Sequence, residues 1–428
     1  MSAPPPSSAT TSATAGLASP DAARGTGMSP NLIVLILSLS LGIQPVTTDL
    51  YLPALPALTT GFGASMSQAQ LTLSALLLAF GLSQLIWGPL SDRYGRRPIL
   101  LAGLSAYTLA AAASTLSPSM DGLIGLRIVQ GAAMGAVVMC ARAIVRDLYQ
   151  PGEGARIMSK GLSGLGVLAC FSAPAGGLLA QHFGWPGALM APAVFGGLTL
   201  LLIALRFEES LQQKNPQALQ PLTLLKTWRL IFKSPTFRAY SALSVASYGG
   251  LFTFLATSSF VFIEVLGLSK TQYGLVMLSM SFAYLIGTFL CRRLLPRFGV
   301  RQAVAIAGGL SLAGGSLMAL FAWAGYQSVW TIMAPFYLFT LAHGVHQPCG
   351  QSGAVGPFPQ AAGAASAMNG FLMMAAAFAM GGWLGGHMDG TIRPLTHGVW
   401  FWSVLIAGVA WTAVRQLKEP GHDAERRA

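Results

Sequence analysis

The 428-residue sequence predicts an all-α membrane protein of twelve transmembrane helices in two halves of six, and three observations predict it. The first is composition. Hydrophobic residues make up 53% and charged residues 9%, where an ordinary soluble domain is about a quarter charged, so there is too little polar side chain to wet a globule of this size. The second is the length of the apolar runs. They recur at about 20 residues, enough to cross a ~30 Å hydrocarbon core as a helix, and they lack the period-two alternation of barrel strands. The third is the distribution of charge: the basic residues behind the net charge of +12 form no single patch but collect on alternate connections between spans. That asymmetry reports membrane sidedness rather than a nucleic-acid partner.

In chain order, residues 1–30 are Ala-, Ser-, Thr-, Pro- and Gly-rich with almost no large side chain. They cannot offset the entropy of ordering and are expected as a disordered cytoplasmic tail, with no cleavable signal peptide before the first span. Spans are predicted over 31–54, 68–88, 98–117, 122–146, 161–181, 185–206, 238–264, 272–291, 301–324, 328–348, 361–386 and 397–416. The longest connection, 207–237, is polar and basic, with Glu208, Glu209, Lys214, Lys226, Arg229 and Lys233. It divides an N-terminal six-helix bundle, 31–206, from a C-terminal one, 238–416, and 417–428 forms a second cytoplasmic tail.

A faint internal echo supports duplication. Arg93-Tyr-Gly95-Arg96-Arg97 after span two is matched by Arg297-Phe-Gly299-Val-Arg301 after span eight, with Pro296 standing where Asp92 does. With the 88–98 connection assigned to the cytoplasm, 22 of the 25 Lys and Arg residues lie on that side, Lys270 and Arg393 lie outside, and Arg127 is left inside a span. An even span count and both termini inside agree with that orientation.

Ionisable groups at membrane depth are costly and are functional candidates by default. Asp49 and Arg127 are the two. Arg127 is expected about 8 Å inside the outer end of span four and Asp49 at a similar depth in span one, so that they can meet at one level. Asp49 reads either as a wetted carboxylate at the outer mouth or as a proton carrier, since a carboxylate moved between wet and dehydrated surroundings changes its proton affinity. Pro45 frees a carbonyl four residues back and permits a kink there. Arg127 is either a stitch between helices or a permanent cation facing Asp49, with Gln130 one turn on sharing its hydrogen bonds.

On span ten His343 and His346 stand three apart, with Cys349 three further. No acid or further His is placed to complete a metal site, so the imidazoles are assigned to a polar cavity rather than to a metal. Tyr51, Tyr248, Phe254 and Asn369 are the other candidates for that cavity. The four cysteines, Cys140, Cys170, Cys291 and Cys349, read as small core residues. An enzyme would need a nucleophile with its base, or a metal pair, at one depth; Asp49 with Arg127 supplies neither, and a transporter is the better reading.

Gly88-Pro-Leu-Ser-Asp92-Arg93-Tyr-Gly95-Arg96-Arg97-Pro98 resembles the loop between helices two and three of the major facilitator superfamily, and Arg127 to Gly135 resembles its helix-four motif in drug/proton antiporters. Asp49-Leu-Tyr-Leu-Pro-Ala-Leu-Pro56, Ala141-Arg142-Ala-Ile-Val-Arg146-Asp147 and Pro357-Phe-Pro-Gln-Ala-Ala-Gly-Ala-Ala-Ser366 are similar to segments of the Bcr/CflA multidrug transporters. The resemblance covers about residues 30–416. It implies two bundles around a central cavity, alternating access by rocking of the halves, and export of small amphipathic drug-like molecules in exchange for protons across a bacterial inner membrane. By match, Asp49 takes the place of the helix-one carboxylate and Arg127 that of the helix-four arginine. The helix-five antiporter motif, Gly-Pro-x-x-Gly-Gly, is met with a departure, because the proline of Ser172-Ala-Pro174-Ala-Gly176-Gly177 falls one place late.

The expected cytoplasmic latch, holding the two halves together in the outward-open state, is Asp92 docked on the uncharged helix start before span eleven, Gly353–Gly363, whose partial positive dipole suits an acid; the alternative is a solvated basic loop that only fixes topology. Gly88, Arg93, Gly95, Arg96, Arg97, Arg142, Arg146 and Asp147 make up the rest of that cluster. The alternative function within transport is a proton-coupled importer or symporter of a small metabolite. No cofactor is expected beyond the proton gradient; the partners are substrate, protons and the lipid bilayer, not nucleic acid, and the chain is expected to be a monomer.

Overall fold

The computed structural model describes residues 27–216 and 218–417, so the N-terminal tail up to residue 26 and all but the first residue of the C-terminal one lie outside the described residues. Among the described residues, nine helical stretches are long and apolar enough to cross a membrane. The longest, Lys270–Trp323, is two spans broken at Gly299; with Arg96–Ser114 and Val329–Val355 the count is twelve. Span one is Pro30–Phe62, two Met66–Tyr94, three Arg96–Ser114, four Met120–Leu148, five Pro151–His182 and six Gly184–Arg206. Span seven is Pro235–Val265, eight and nine are the halves of Lys270–Trp323, ten is Val329–Val355, eleven Ala362–His387 and twelve Arg393–Val414. Serine sets six of the starts: Ser29, Ser65, Ser119, Ser234, Ser269 and Ser328 each accept a backbone N–H from the first turn behind them.

Two boundaries differ from expectation in ways that matter. Span one runs to Phe62, not 54, and it is broken: an α-helix Pro30–Thr48, a 3-10 turn Leu52–Ala54 and a second helix Leu55–Phe62. Pro45 is carried inside the first helix without a break. The interruption comes at Pro53 and Pro56, whose rings exclude the carbonyls four residues back, those of Asp49 and Leu52. Asp49 therefore lies near the middle of a 33-residue stretch rather than close to its outer end.

Span two continues to Tyr94, so Asp92 and Arg93 sit on its last helical turn, and the chain breaks only at Gly95 (φ 112, ψ 160). The echo of that segment breaks at Gly299 (φ 71, ψ 173). Both are conformations that a side chain would strain, so the repeat visible in sequence is also a repeat of backbone geometry.

The most extensive contacts between the two halves are span two against eleven and span five against eight. Glycine permits each approach. A Cβ on Gly81 would lie 2.6 Å from that of Met374, and one on Gly381 would lie 2.6 Å from that of Ser74. On the other side, a Cβ on Gly274 of span eight would lie 2.8 Å from Cα of Pro174 in span five. The connection between the halves carries a 13-residue helix of its own, Pro221–Lys233, and span seven begins three residues earlier than expected, at Pro235.

Candidate functional site

The break in span one is the centre of the site. Asp49 caps the first helix, its N–H donating to the Pro45 carbonyl at 2.8 Å, and its carboxylate accepts the Thr48 hydroxyl at 2.7 Å. Among the described residues it joins no ion pair. The broken segment packs against spans seven and eight of the other half, where Tyr248 and Tyr273 are buried. Asp49 thus stands at the start of the break through which span one meets the other half.

Arg127 comes from span four and is 1% exposed. Its Nη1 donates to Gln130 Oε1 at 2.9 Å and reaches the Thr47 carbonyl at 3.5 Å, and its guanidinium carbon lies 3.9 Å from the centre of the Tyr51 ring. Tyr51 is fixed by a 2.6 Å hydrogen bond between its hydroxyl and that of Thr72, and Thr47 by one of 2.6 Å to Tyr107. Nε and Nη2 of Arg127 have no hydrogen-bond partner among the described residues. Arg127 meets span one at Thr47 and Tyr51, within two residues of Asp49, but the two are not paired: the cation is boxed in by residues of the N-terminal half. Gln130 shares the Arg127 hydrogen bonds as expected. Tyr51 belongs to the Arg127 box rather than to a cavity wall.

The helix-five motif touches both partners of this site. A Cβ on Gly176 would run into the carbonyl oxygen of Leu50, the residue after Asp49, and one on Gly177 would lie 2.5 Å from the carbonyl of Lys270 in span eight. Pro174, Gly176 and Gly177 therefore form the surface across which span five contacts span one and the opposite half. The outer end is closed around it. Lys270 Nζ donates to the Ala180 carbonyl at 3.2 Å, Thr271 donates to Gln181 at 2.7 Å, and further in Gln70 Nε2 donates to the Ala256 carbonyl at 2.6 Å.

The other cavity candidates divide. His343 is buried, with Nδ1 2.8 Å from the Ser247 hydroxyl and its ring 5.6 Å from that of Tyr284. His346 Nε2 lies 3.4 Å from the Val304 carbonyl, inside the C-terminal half. Asn369 is buried with Oδ1 unpartnered. Phe254 is a packing residue, stacked on Phe336 at 3.7 Å. Cys291 and Cys349 lie 4.0 Å apart between spans eight and ten, a proximity that their sequence spacing of 58 did not indicate.

At the inner end, with the outer end closed, a charged cluster ties the end of span two to spans three and four. Asp92 is not docked on the start of span eleven; it accepts Arg96 Nη1 at 2.6 Å. The reason is chain direction: the turn at Gly95 points Arg96 back across the last turn of span two, where it also meets Ser91 at 2.6 Å and Asp147 of span four at 2.8 Å. Glu209, from the connection after span six, accepts the backbone N–H groups of Arg96 and Arg97 at 2.9 and 3.1 Å and so caps span three. Ser210 donates to Asp147 at 3.2 Å, and Arg97 donates to the carbonyls of Phe207 and Ala204. Gly88 lies on span two beside Met139, with room for a Cβ, and Arg93 rests on the Tyr94 ring. Span eleven is met instead by arginines of span four: Arg142 donates to Ser366 at 3.4 Å, and Arg146 lies against Gly363. Glu209 and Ser210 were missed as members of this cluster because the connection that carries them reads as a linker; the only available signal was two adjacent acids directly after a span.

Residues 37–382 match the model of the Major Facilitator Superfamily. The chain is 28% identical to "Multidrug resistance protein D" of Escherichia coli (strain K12), over 79% of this chain and 85% of that protein. It is 29% identical to a "Chloramphenicol resistance protein" of Pseudomonas aeruginosa, over 84% and 83% of the two. Among solved structures, a D-xylose-proton symporter superposes with a TM-score of 0.70 at 17% identity, over 91% of this chain and 98% of that one, a likeness of fold.

Proposed function

Because this chain belongs to the Major Facilitator Superfamily, and is therefore a membrane transporter of small molecules rather than an enzyme, we propose that it is a Bcr/CflA-type exporter of small amphipathic drug-like compounds. Protons entering across a bacterial inner membrane drive the export. The observation that carries the reading is Asp49: one carboxylate at a proline-made break near the middle of a span, beside a segment that packs against the opposite half, and without a cation partner among the described residues. The likeness to the resistance proteins named above supports this substrate class.

The proposed cycle uses this arrangement. With the outer side open, substrate leaves and a proton reaches Asp49, which neutralises it. A neutral acid is tolerated at the closing boundary where a carboxylate is not, and the halves then rock together at the outer end across Pro174, Gly176 and Gly177. Opening to the cytoplasm rehydrates Asp49, the proton leaves inward, and new substrate enters from the cytoplasm or inner leaflet. Arg127, fixed by Tyr51 and Gln130, holds span one in register and keeps Nε and Nη2 free to meet the deprotonated acid as the halves rock.

The test is Asp49→Asn in everted vesicles with an imposed pH gradient. Wild-type chain should accumulate a chloramphenicol-like substrate, and the variant should insert normally yet lose gradient-driven accumulation. Full active transport by the variant refutes the assignment, and substrate movement in the same direction as the protons refutes antiport in favour of the importer.

A further inference from the structure

The helix inside the connection, Pro221-Leu-Thr-Leu-Leu-Lys-Thr-Trp-Arg-Leu-Ile-Phe-Lys233, has no part in the transport site, and its surface is unlike that of the other cytoplasmic segments. At 13 residues it is about 20 Å long. It is tied at both faces of its position. Its C-terminal end is followed at once by Ser234, whose hydroxyl caps span seven by accepting Phe237 N–H at 3.3 Å. Ile231 is fully buried against Phe237 of span seven, Ala354 of span ten and Ala365 of span eleven. The helix therefore lies across the inner ends of these three spans.

What it leaves uncovered is mixed. Leu222, Leu225, Leu230 and Phe232 are 72, 57, 64 and 52% exposed. Between them on the same arc stand Lys226, Arg229 and Lys233, all exposed, and the helix contains no acid. None of the three cations joins an ion pair among the described residues. Arg238, one turn into span seven, exposes a fourth cation at the edge of a cleft of about 440 Å³ between spans seven and twelve.

We propose that this helix is a docking surface for anionic phospholipid of the inner leaflet, with Leu222, Leu225 and Phe232 entering the headgroup and upper acyl region and Lys226, Arg229 and Lys233 holding lipid phosphates. Large apolar side chains interleaved with Lys and Arg on one exposed arc are what an interfacial helix requires, and long basic side chains reach from an apolar bed to the phosphate level. A purely aqueous helix gains nothing from four exposed large apolar residues, and a helix buried in the bilayer cannot hold three unpaired cations. Since the helix packs on spans seven, ten and eleven, lipid bound there is coupled to the C-terminal half.

Each Lys or Arg near an anionic surface contributes about a fivefold gain in affinity. The full chain in zwitterionic detergent is titrated with phosphatidylglycerol, with phosphatidylcholine as the comparator, following thermal stabilisation. The wild type should respond to phosphatidylglycerol alone. Lys226→Gln, Arg229→Gln and Lys233→Gln should each raise the midpoint about fivefold, and the triple variant about a hundredfold. A nitroxide on Leu225→Cys, in reconstituted full chain, should be relaxed by lipid-dissolved oxygen more than by a water-soluble nickel chelate. Equal response to the two lipids, an unmoved midpoint in the triple variant, or a nitroxide reached mainly from water overturns the proposal.

Discussion

Gly177→Ala should tilt the equilibrium between closed and open outer ends. In this structure the added Cβ would stand 2.5 Å from the Lys270 carbonyl oxygen, where ordinary contact begins at 3.4 Å, so spans five and eight must part by about 0.9 Å. The obstacle is backbone on a capped helix start and cannot rotate away. Overpacking of this kind costs about 1–3 kcal/mol, charged only to the closed state, and at 1.4 kcal/mol per tenfold the closed-to-open ratio falls about five- to 150-fold. The matching change Gly274→Ala, which would press Pro174 Cα at 2.8 Å, should act in the same direction. Combined, the two should give less than their sum, since one separation relieves both clashes. Gly166→Ala, on the same helix with open space around the new Cβ, should do nothing. Nitroxides on Leu116→Cys and Gln327→Cys, both in exposed outer connections on opposite halves, report the separation by pulsed electron resonance. A longer-distance component should grow in Gly177→Ala and Gly274→Ala. Distance distributions identical to that of Gly166→Ala, in protein that remains folded, refute the reasoning.

The inner cluster separates two acids that look alike in sequence. Asp92 is 46% exposed on its side chain and pairs with Arg96 four residues on, across the break at Gly95, so Asp92→Asn should change stability by no more than about 0.5 kcal/mol. Asp147 is 14% exposed and holds the Arg96 fork and the Ser210 hydroxyl; Asp147→Asn should cost about 2 kcal/mol, both read as shifts in denaturant midpoint in detergent. Arg127→Lys keeps the charge but loses the planar stack on Tyr51 and the fixed bond to Gln130, a loss of about 2 kcal/mol, whereas Tyr51→Phe removes only the bond to Thr72 and should cost about 1 kcal/mol. Thermal unfolding of the two variants side by side checks the order.

Architecture was legible in the sequence because membrane insertion imposes it residue by residue. Lipid requires every spanning backbone group to bond within its own helix, so run length reports each span locally, and Lys and Arg report sidedness without any contact being known. The same locality made Asp49 and Arg127 conspicuous: each is costly where it stands, whatever surrounds it. The echo between Gly95 and Gly299 was legible too, since a positive φ demands glycine at both copies. What only the tertiary structure decided is pairing. Two prolines, Pro53 and Pro56, set the break in span one just after Asp49, beside a segment that meets the other half, while Tyr51 and Gln130 hold Arg127 within its own half. Asp92 finds Arg96 across the break at Gly95 rather than the start of span eleven, and Glu209 closes the cap of span three from more than 100 residues along the chain. Such choices among partners of nearly equal local merit depend on which backbones approach within hydrogen-bond reach. Here that is set by glycine contacts such as Gly176 against Leu50 and Gly177 against Lys270, which no single segment contains.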